Sequence, residues 1–197
     1  MNCSHSKRGT ASSELKIDRR HFLRLCGIAG ITIMLPRPLF ASVWQLPSQD
    51  RRLSLYNKYT GEQLNISYYA QGRYLPEALK QISYILRDHR TGQVKPIDPR
   101  LCDLLHTIYQ KIQPNVPFQI LSGYRSPSTN EVLRRRRRGV AKNSLHMHGK
   151  AVDLRLPGFR TSTLRRTAAA MKRGGVGYYP RLGFVHLDVG EVRYWNA

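Results

Sequence analysis

No apolar run in this 197-residue chain approaches the roughly 20 residues that a membrane-spanning helix needs; the longest, Leu25 to Leu35, carries Gly27, Gly30 and Thr32. Cysteine is scarce, with Cys3, Cys26 and Cys102 alone, which excludes a scaffold held together by disulfides. Acidic side chains are scarce as well: 12 Asp and Glu stand against 33 Lys and Arg, a formal net charge of +21. Such a surplus attracts polyanions without selecting among them. Internal repeats and long low-complexity linkers are also missing.

What is present begins with Arg19-Arg20-His21-Phe22-Leu23-Arg24, after a polar stretch and directly before the apolar run. A basic segment before about ten apolar residues reads as a secretory signal. The paired arginines followed by Phe22-Leu23 resemble a twin-arginine signal, a receptor-read address rather than an anchor. Pro36 and Pro38 argue against a buried core helix, and Leu39-Phe40-Ala41 ends the segment on a small residue. Residues 1–41 are therefore expected to be an export signal read by the twin-arginine machinery. Residues 42–197 are expected to form one exported, periplasmic domain with no transmembrane anchor in the mature chain.

Beyond residue 41, 26 cations face 10 acids, and Cys102 is the single thiol. Leu101, Leu104, Leu105 and Ile108 surround Cys102 at helical spacing, so it reads as a small packed side chain. The run from Arg134 to Arg138 invites a nucleic-acid reading, yet it equally suits the cationic end of a helix stopped by Gly139. Export points away from a specific nucleic-acid partner and toward anionic cell-wall material.

The pattern of the mature region is α+β: a small antiparallel sheet with helices packed mainly on one face. Leu53-Ser-Leu55 and Leu64-Asn-Ile66-Ser-Tyr68 alternate around Thr60-Gly61, which predicts an opening β-hairpin at about 52–69. Pro76 opens a helix carrying Ala78, Leu79, Ile82 and Leu86, and Asp98-Pro99 caps a second through Ile112. A short strand from Pro117 to Leu121 leads into Ser122-Gly123-Tyr124-Arg125. A helix starting at Ser128 or Thr129 runs into the arginines, and another covers Arg160 to Lys172. Val176 to Tyr179 and Phe184 to Val189 read as closing strands.

The chemistry concentrates in Ser144-Leu-His146-Met-His148-Gly149-Lys-Ala151-Val-Asp153 and in Phe184-Val185-His186-Leu187-Asp188. Two imidazoles and a carboxylate suit zinc, and three protein ligands leave its fourth position open. An unframed His–Asp pair seven apart is more often a surface histidine and a turn acid. Here Gly149 and Ala151 allow close approach, and Ala151 to Leu156 alternates as a strand, setting Asp153 on the face opposite Val152 and Leu154.

The pattern Ser144-x-His146-x-x-Gly149-x-Ala151-x-Asp153 resembles the signature of the LAS metallopeptidases: lysostaphin, the D-Ala-D-Ala metallopeptidases and the hedgehog signalling domain. Ser122-Gly-Tyr124-Arg125-Ser126-Pro127, Arg138-Gly-Val-Ala-Lys142, Gly175-Val-Gly-Tyr178-Tyr179-Pro180 and the segment around His186 extend the resemblance over most of residues 52–197. Within the group the chain looks closest to the YcbK-like murein endopeptidases. The resemblance implies a hedgehog/D-Ala-D-Ala peptidase-like fold and one Zn2+ per chain on His146, Asp153 and His186. It also implies hydrolysis of amide bonds in peptidoglycan stem peptides and their cross-links.

Arg125 is expected to hold a substrate carboxylate or to stabilise the tetrahedral oxyanion. Many relatives carry an acid three residues before the last metal histidine; here that position is Gly183. Asp188 shares the strand face of His186, and two roles stay open for it: general base, or a group that orients a histidine. Ser144 is expected to cap or brace its turn, and His148 to be an exposed loop residue. Tyr124, Tyr178 and Tyr179 are expected to contact substrate, with Trp195 beside them. Two alternatives to an endopeptidase follow: a D,D- or L,D-carboxypeptidase trimming stem peptides, or a zinc- or murein-binding domain without catalysis, which the missing acid at Gly183 keeps open.

Overall fold

Alternation along the first strand, β1 (Arg51–Asn57), buries Leu53 and Leu55 on one face, and β2 (Gln63–Ala70) folds back on it, so the opening hairpin forms as the sequence predicts. The computed structural model describes residues 50–136 and 139–197; the expected export signal and the 41/42 boundary lie outside the described residues. A two-residue strand, β3 (Arg73–Tyr74), extends the hairpin. Helix α1 (Pro76–Ile85) has proline in its first turn, where no N–H is needed, and buries Ala78, Ile82 and Ile85. Helix α2 (Pro99–Ile112) is capped by Asp98, whose side chain accepts from Arg100 N at 3.0 Å.

Strand β4 (Phe118–Ser122) leads into helix α3 (Pro127–Arg136), and β5 (Ala151–Arg155) follows a short 3-10 turn at Leu145–His148. Helix α4 (Thr161–Ala170) precedes the last strands β6 (Gly175–Tyr179), β7 (Phe184–Asp188) and β8 (Arg193–Asn196). The α+β class holds, with a larger sheet than alternation predicts: eight strands in the order β3-β2-β1-β4-β5-β7-β6-β8. It is mixed, because β1 runs parallel to β4 and β6 parallel to β8. The α1 and α2 segments supply the long crossover that a parallel β1/β4 pair requires.

One face of the sheet carries the core. Ile120, Leu154, Val185 and Tyr178 form one row across four strands, and Val152, Leu187 and Val176 form another. Helices α1, α2 and α4 pack on the strands of this sheet and bury Ile82, Leu105, Ile108 and Leu164. Each fully buried side chain of this size contributes roughly 1.5–3 kcal/mol. Cys102 sits in this core, and burial pushes its thiol up to about 12, so it is inert packing. Among the described residues no helix is long and apolar enough to cross a membrane.

Candidate metal centre and cleft

The opposite face of the sheet places another row across five strands: Ser122, Asp153, His186, Gly177 and Trp195. Ser122 joins it because a bulge between Ile120 and Ser122 re-registers the end of β4 against β5. His146 comes from the 3-10 turn. That turn ends on Gly149 at φ 65°, and a Cβ there would collide with the Pro96 carbonyl oxygen.

Three ligand-type atoms converge. His146 Nε2 lies 3.2 Å from Asp153 Oδ1 and 3.1 Å from His186 Nδ1, and His186 Nδ1 lies 2.9 Å from Asp153 Oδ1. The far side of each ring is anchored: His146 Nδ1 bonds the Gly123 carbonyl at 2.7 Å, and His186 Nε2 bonds Asp188 Oδ2 at 3.0 Å. Those acceptors take the ring N–H groups, so both free lone pairs and the carboxylate oxygen face one another. Three acceptors about 3 Å apart repel unless a cation sits among them, and an ion 2.0–2.2 Å from each fits just above their triangle. His146, Asp153 and His186 form a group that could hold a metal ion.

For His146 the electrostatics agree. Burial pushes the His146 imidazole down to about 4, which keeps it neutral, as a ligand must be. Burial opposes the Asp153 charge, but His146 and Arg125 outweigh it and hold the carboxyl well below its usual range. Burial likewise opposes charge on His186, yet its bonds to Asp153 and Asp188 raise it. Arg125 donates from Nη2 to Asp153 Oδ2 and from Nε to Ser122 Oγ at 2.8 Å.

Asp188 is fully buried and receives five bonds. Oδ1 accepts from Gly175 N (3.0 Å), Gly190 N (2.9 Å) and Arg193 Nη1 (3.3 Å); Oδ2 accepts from His186 Nε2 and from Arg193 Nη2 at 2.6 Å. Burial raises its pKa, but the bonds with His186, Gly190 and Gly175 win and bring it to about 2.

A cleft of about 380 Å³ opens over the centre, with Arg125, Ser144, His146, Asp153, Tyr179 and Trp195 on its walls. Asp188 is absent from that lining, as are Tyr124 and Tyr178. Tyr124 is buried, its N–H bonded to the Leu86 carbonyl at 2.7 Å, and Tyr178 alternates onto the core face opposite Val185, under Arg165. The expectation of substrate contact is corrected for these two and stays with Tyr179. Ser144 makes no side-chain cap; its carbonyl accepts from Met147 N at 2.9 Å while the residue faces the cleft. His148 is exposed and lies outside the ligand group. Gly183 adopts φ 69°, in the left-handed region that glycine enters without strain.

Arg193 and Asn130 escape a reading by motif, whereas Trp195 was already expected beside the tyrosines. Arg193 and Trp195 enter the cleft from β8, a strand signalled only by the alternation of Arg193, Tyr194 and Trp195. Asn130 Nδ2 holds the cleft-wall segment through the carbonyls of Ala141 (3.1 Å) and Lys142 (3.3 Å).

Residues 45–195 match the sequence model of the Peptidase_M15_2 family, described as peptidoglycan L,D-endopeptidase MepK. The chain is 41% identical over 178 residues to the peptidoglycan L,D-endopeptidase MepK of Escherichia coli K12, covering 90% of this chain and 97% of that protein. It is also 41% identical over 182 residues to the probable peptidoglycan L,D-endopeptidase MepK of Haemophilus influenzae, covering 91% and 96% respectively. With the match spanning nearly all the described residues and the His–Asp–His group within it, the chain belongs to the Peptidase_M15_2 family.

Proposed function

We propose that this protein is an exported, zinc-dependent murein endopeptidase that hydrolyses amide bonds in peptidoglycan peptide cross-links. The observation that carries the reading is the convergence of His146 Nε2, Asp153 Oδ1 and His186 Nδ1 on one point at the floor of an open cleft. Family membership supports a peptidase, and the names of the Escherichia coli and Haemophilus influenzae relatives support an L,D-linkage as the bond cut.

His146, Asp153 and His186 would hold one zinc per chain, which would supply Lewis acidity and a water more acidic than bulk water. Arg125 keeps Asp153 in place through Nη2, with Ser122 fixing its Nε, and its Nη1 remains for a substrate carboxylate. Asp188 orients His186: its position off the cleft and its five bonds support this role over that of a base taking a proton from water. The basic surface draws in the free carboxylates of stem peptides. Residues 1–41 carry the chain across the membrane by the twin-arginine route, and the zinc-loaded protein works in the periplasm.

The test incubates the purified protein with isolated murein and separates the soluble products. The reading predicts release of muropeptides that stops on chelation, returns with zinc, and is lost in His186→Ala. Binding to murein without release would favour the non-catalytic alternative, and loss of terminal residues alone would favour a carboxypeptidase.

A further inference from the structure

Hydrolysis of an amide needs a hydrogen-bond donor where the carbonyl oxygen gathers negative charge, and the cleft offers few groups with a hydrogen to spare. Arg125 commits Nη2 to Asp153 and Nε to Ser122, and its Nη1 is the arm of the fork left for a substrate carboxylate. Arg193 is committed to Asp188 through both Nη atoms and to the Glu191 carbonyl at 3.1 Å. Asn143 and Ser144 also bring neutral donors to the lining, but Tyr179 is the one whose hydroxyl is oriented by a hydrogen bond from another lining side chain.

The stereochemistry of Tyr179 is specific. Trp195 Nε1 lies 3.1 Å from its hydroxyl oxygen. An indole N–H can only donate, so the phenol oxygen accepts there and its own hydrogen turns elsewhere. Tyr179 makes no other hydrogen bond through that hydroxyl among the described residues. The ring is fixed by stacking on Phe184, with centroids 4.4 Å apart and planes inclined by 12°. Trp195 is itself positioned by the centre. Its ring lies 5.2 Å from the His186 ring and 5.3 Å from the Arg193 guanidinium, over Gly177, where a Cβ would stand 2.5 Å from Cζ2.

We propose that the Tyr179 hydroxyl, aimed by the Trp195 indole, is a catalytic residue that donates a hydrogen bond to the oxygen of the scissile carbonyl. This rests on the reading of the protein as a metal-dependent amide hydrolase. The phenol keeps its proton throughout: water adds to the carbonyl carbon, the C–N bond breaks, and the departing amine leaves with a proton that comes from the water. Tyr179 serves only the charge on the oxygen, with a donor already in place before reaction.

The experiment compares wild type, Tyr179→Phe and Trp195→Phe on purified cross-linked muropeptides, with bound zinc and melting temperature measured for each. Tyr179→Phe preserves the stack on Phe184 and removes the hydroxyl alone. The expected result is a fall in kcat of about 10²–10³ with KM changed less than about threefold and one zinc still bound. Trp195→Phe, which leaves the hydroxyl free to rotate, falls by a smaller factor. A phosphinate analogue of the cross-link, whose tetrahedral oxygens take the place of the charged carbonyl oxygen, binds Tyr179→Phe at least about tenfold more weakly than wild type. Unchanged kcat, or a loss confined to KM, in a wild-type background that releases product would overturn the role of Tyr179 while leaving the enzyme reading intact. A wild type that releases nothing would overturn both.

Discussion

At the scale of single residues, the centre depends on what stands behind the ligands. Asp188 and Arg193 form an ion pair beneath His186, with the carboxylate wholly removed from water. Asp188→Ala takes the acceptor from His186 Nε2 and frees the ring to turn, so zinc affinity is expected to fall about 10–100-fold, measured by competition with a chromophoric chelator. Affinity equal to wild type would remove Asp188 from the account. Gly177→Ala is a steric test: its Cβ would meet the indole of Trp195, so the ring must leave the cleft wall. Turnover should drop at least about tenfold while zinc stays bound, since the ligands lie on β5, β7 and the 3-10 turn rather than on β6. The grouping of His146 with Asp153 was legible because their spacing, the small residues and the strand alternation all fall within ten consecutive residues, whereas His186 lies 33 residues beyond Asp153. Arg193 was not, because its partner Asp188 becomes a neighbour only through the β6–β8 and β6–β7 pairings.

At the scale of elements, the segment bearing Arg125 is held by a buried acid. Asp88 accepts from Ser126 N at 2.8 Å, Ser126 Oγ at 2.7 Å and Arg90 N at 3.0 Å, tying the loop after α1 to the start of α3. Burial opposes its charge, but bonds from Thr129, Ser126 and Arg90 bring its pKa from 3.8 to about 2. A depressed folded-state value means that this stabilisation is present above pH 4 and disappears as the pH falls through about 2. Asp88→Asn should therefore destabilise the fold by about 2 kcal/mol at pH 7. The gap to wild type in denaturant melts should narrow steadily from pH 4 to pH 2; a gap independent of pH would contradict it. Helices were readable because Pro76 and Asp98-Pro99 mark their first turns locally. The expected start of α3 at Ser128 or Thr129 came late by a residue or two, since Pro127 occupies its first turn. The parallel β1/β4 pair and the bulge before Ser122 were not readable, because they join segments some 60 and some 30 residues apart and leave no local pattern.

At the scale of the whole molecule, the surplus of cations favours anionic partners, and a bound metal would couple to the stability of the fold. His146, Asp153 and His186 come from β5, β7 and the preceding turn, so unfolding scatters them, and a zinc ion held there would bind the native state preferentially. At a free zinc concentration 100 times its Kd, the gain is about 2.7 kcal/mol, or a rise of about 5–10 °C in Tm. Differential scanning calorimetry with and without zinc checks it, and Asp153→Ala should lose the increment. The central claim is that one zinc on His146, Asp153 and His186 makes this protein cut murein cross-links. A titration of zinc into metal-free protein, following muropeptide release at each addition, tests it most directly. The account predicts release that rises linearly and breaks at one zinc per chain, and none at any zinc concentration in His186→Ala. Full release by the metal-free protein, or a rise with no break, would contradict it.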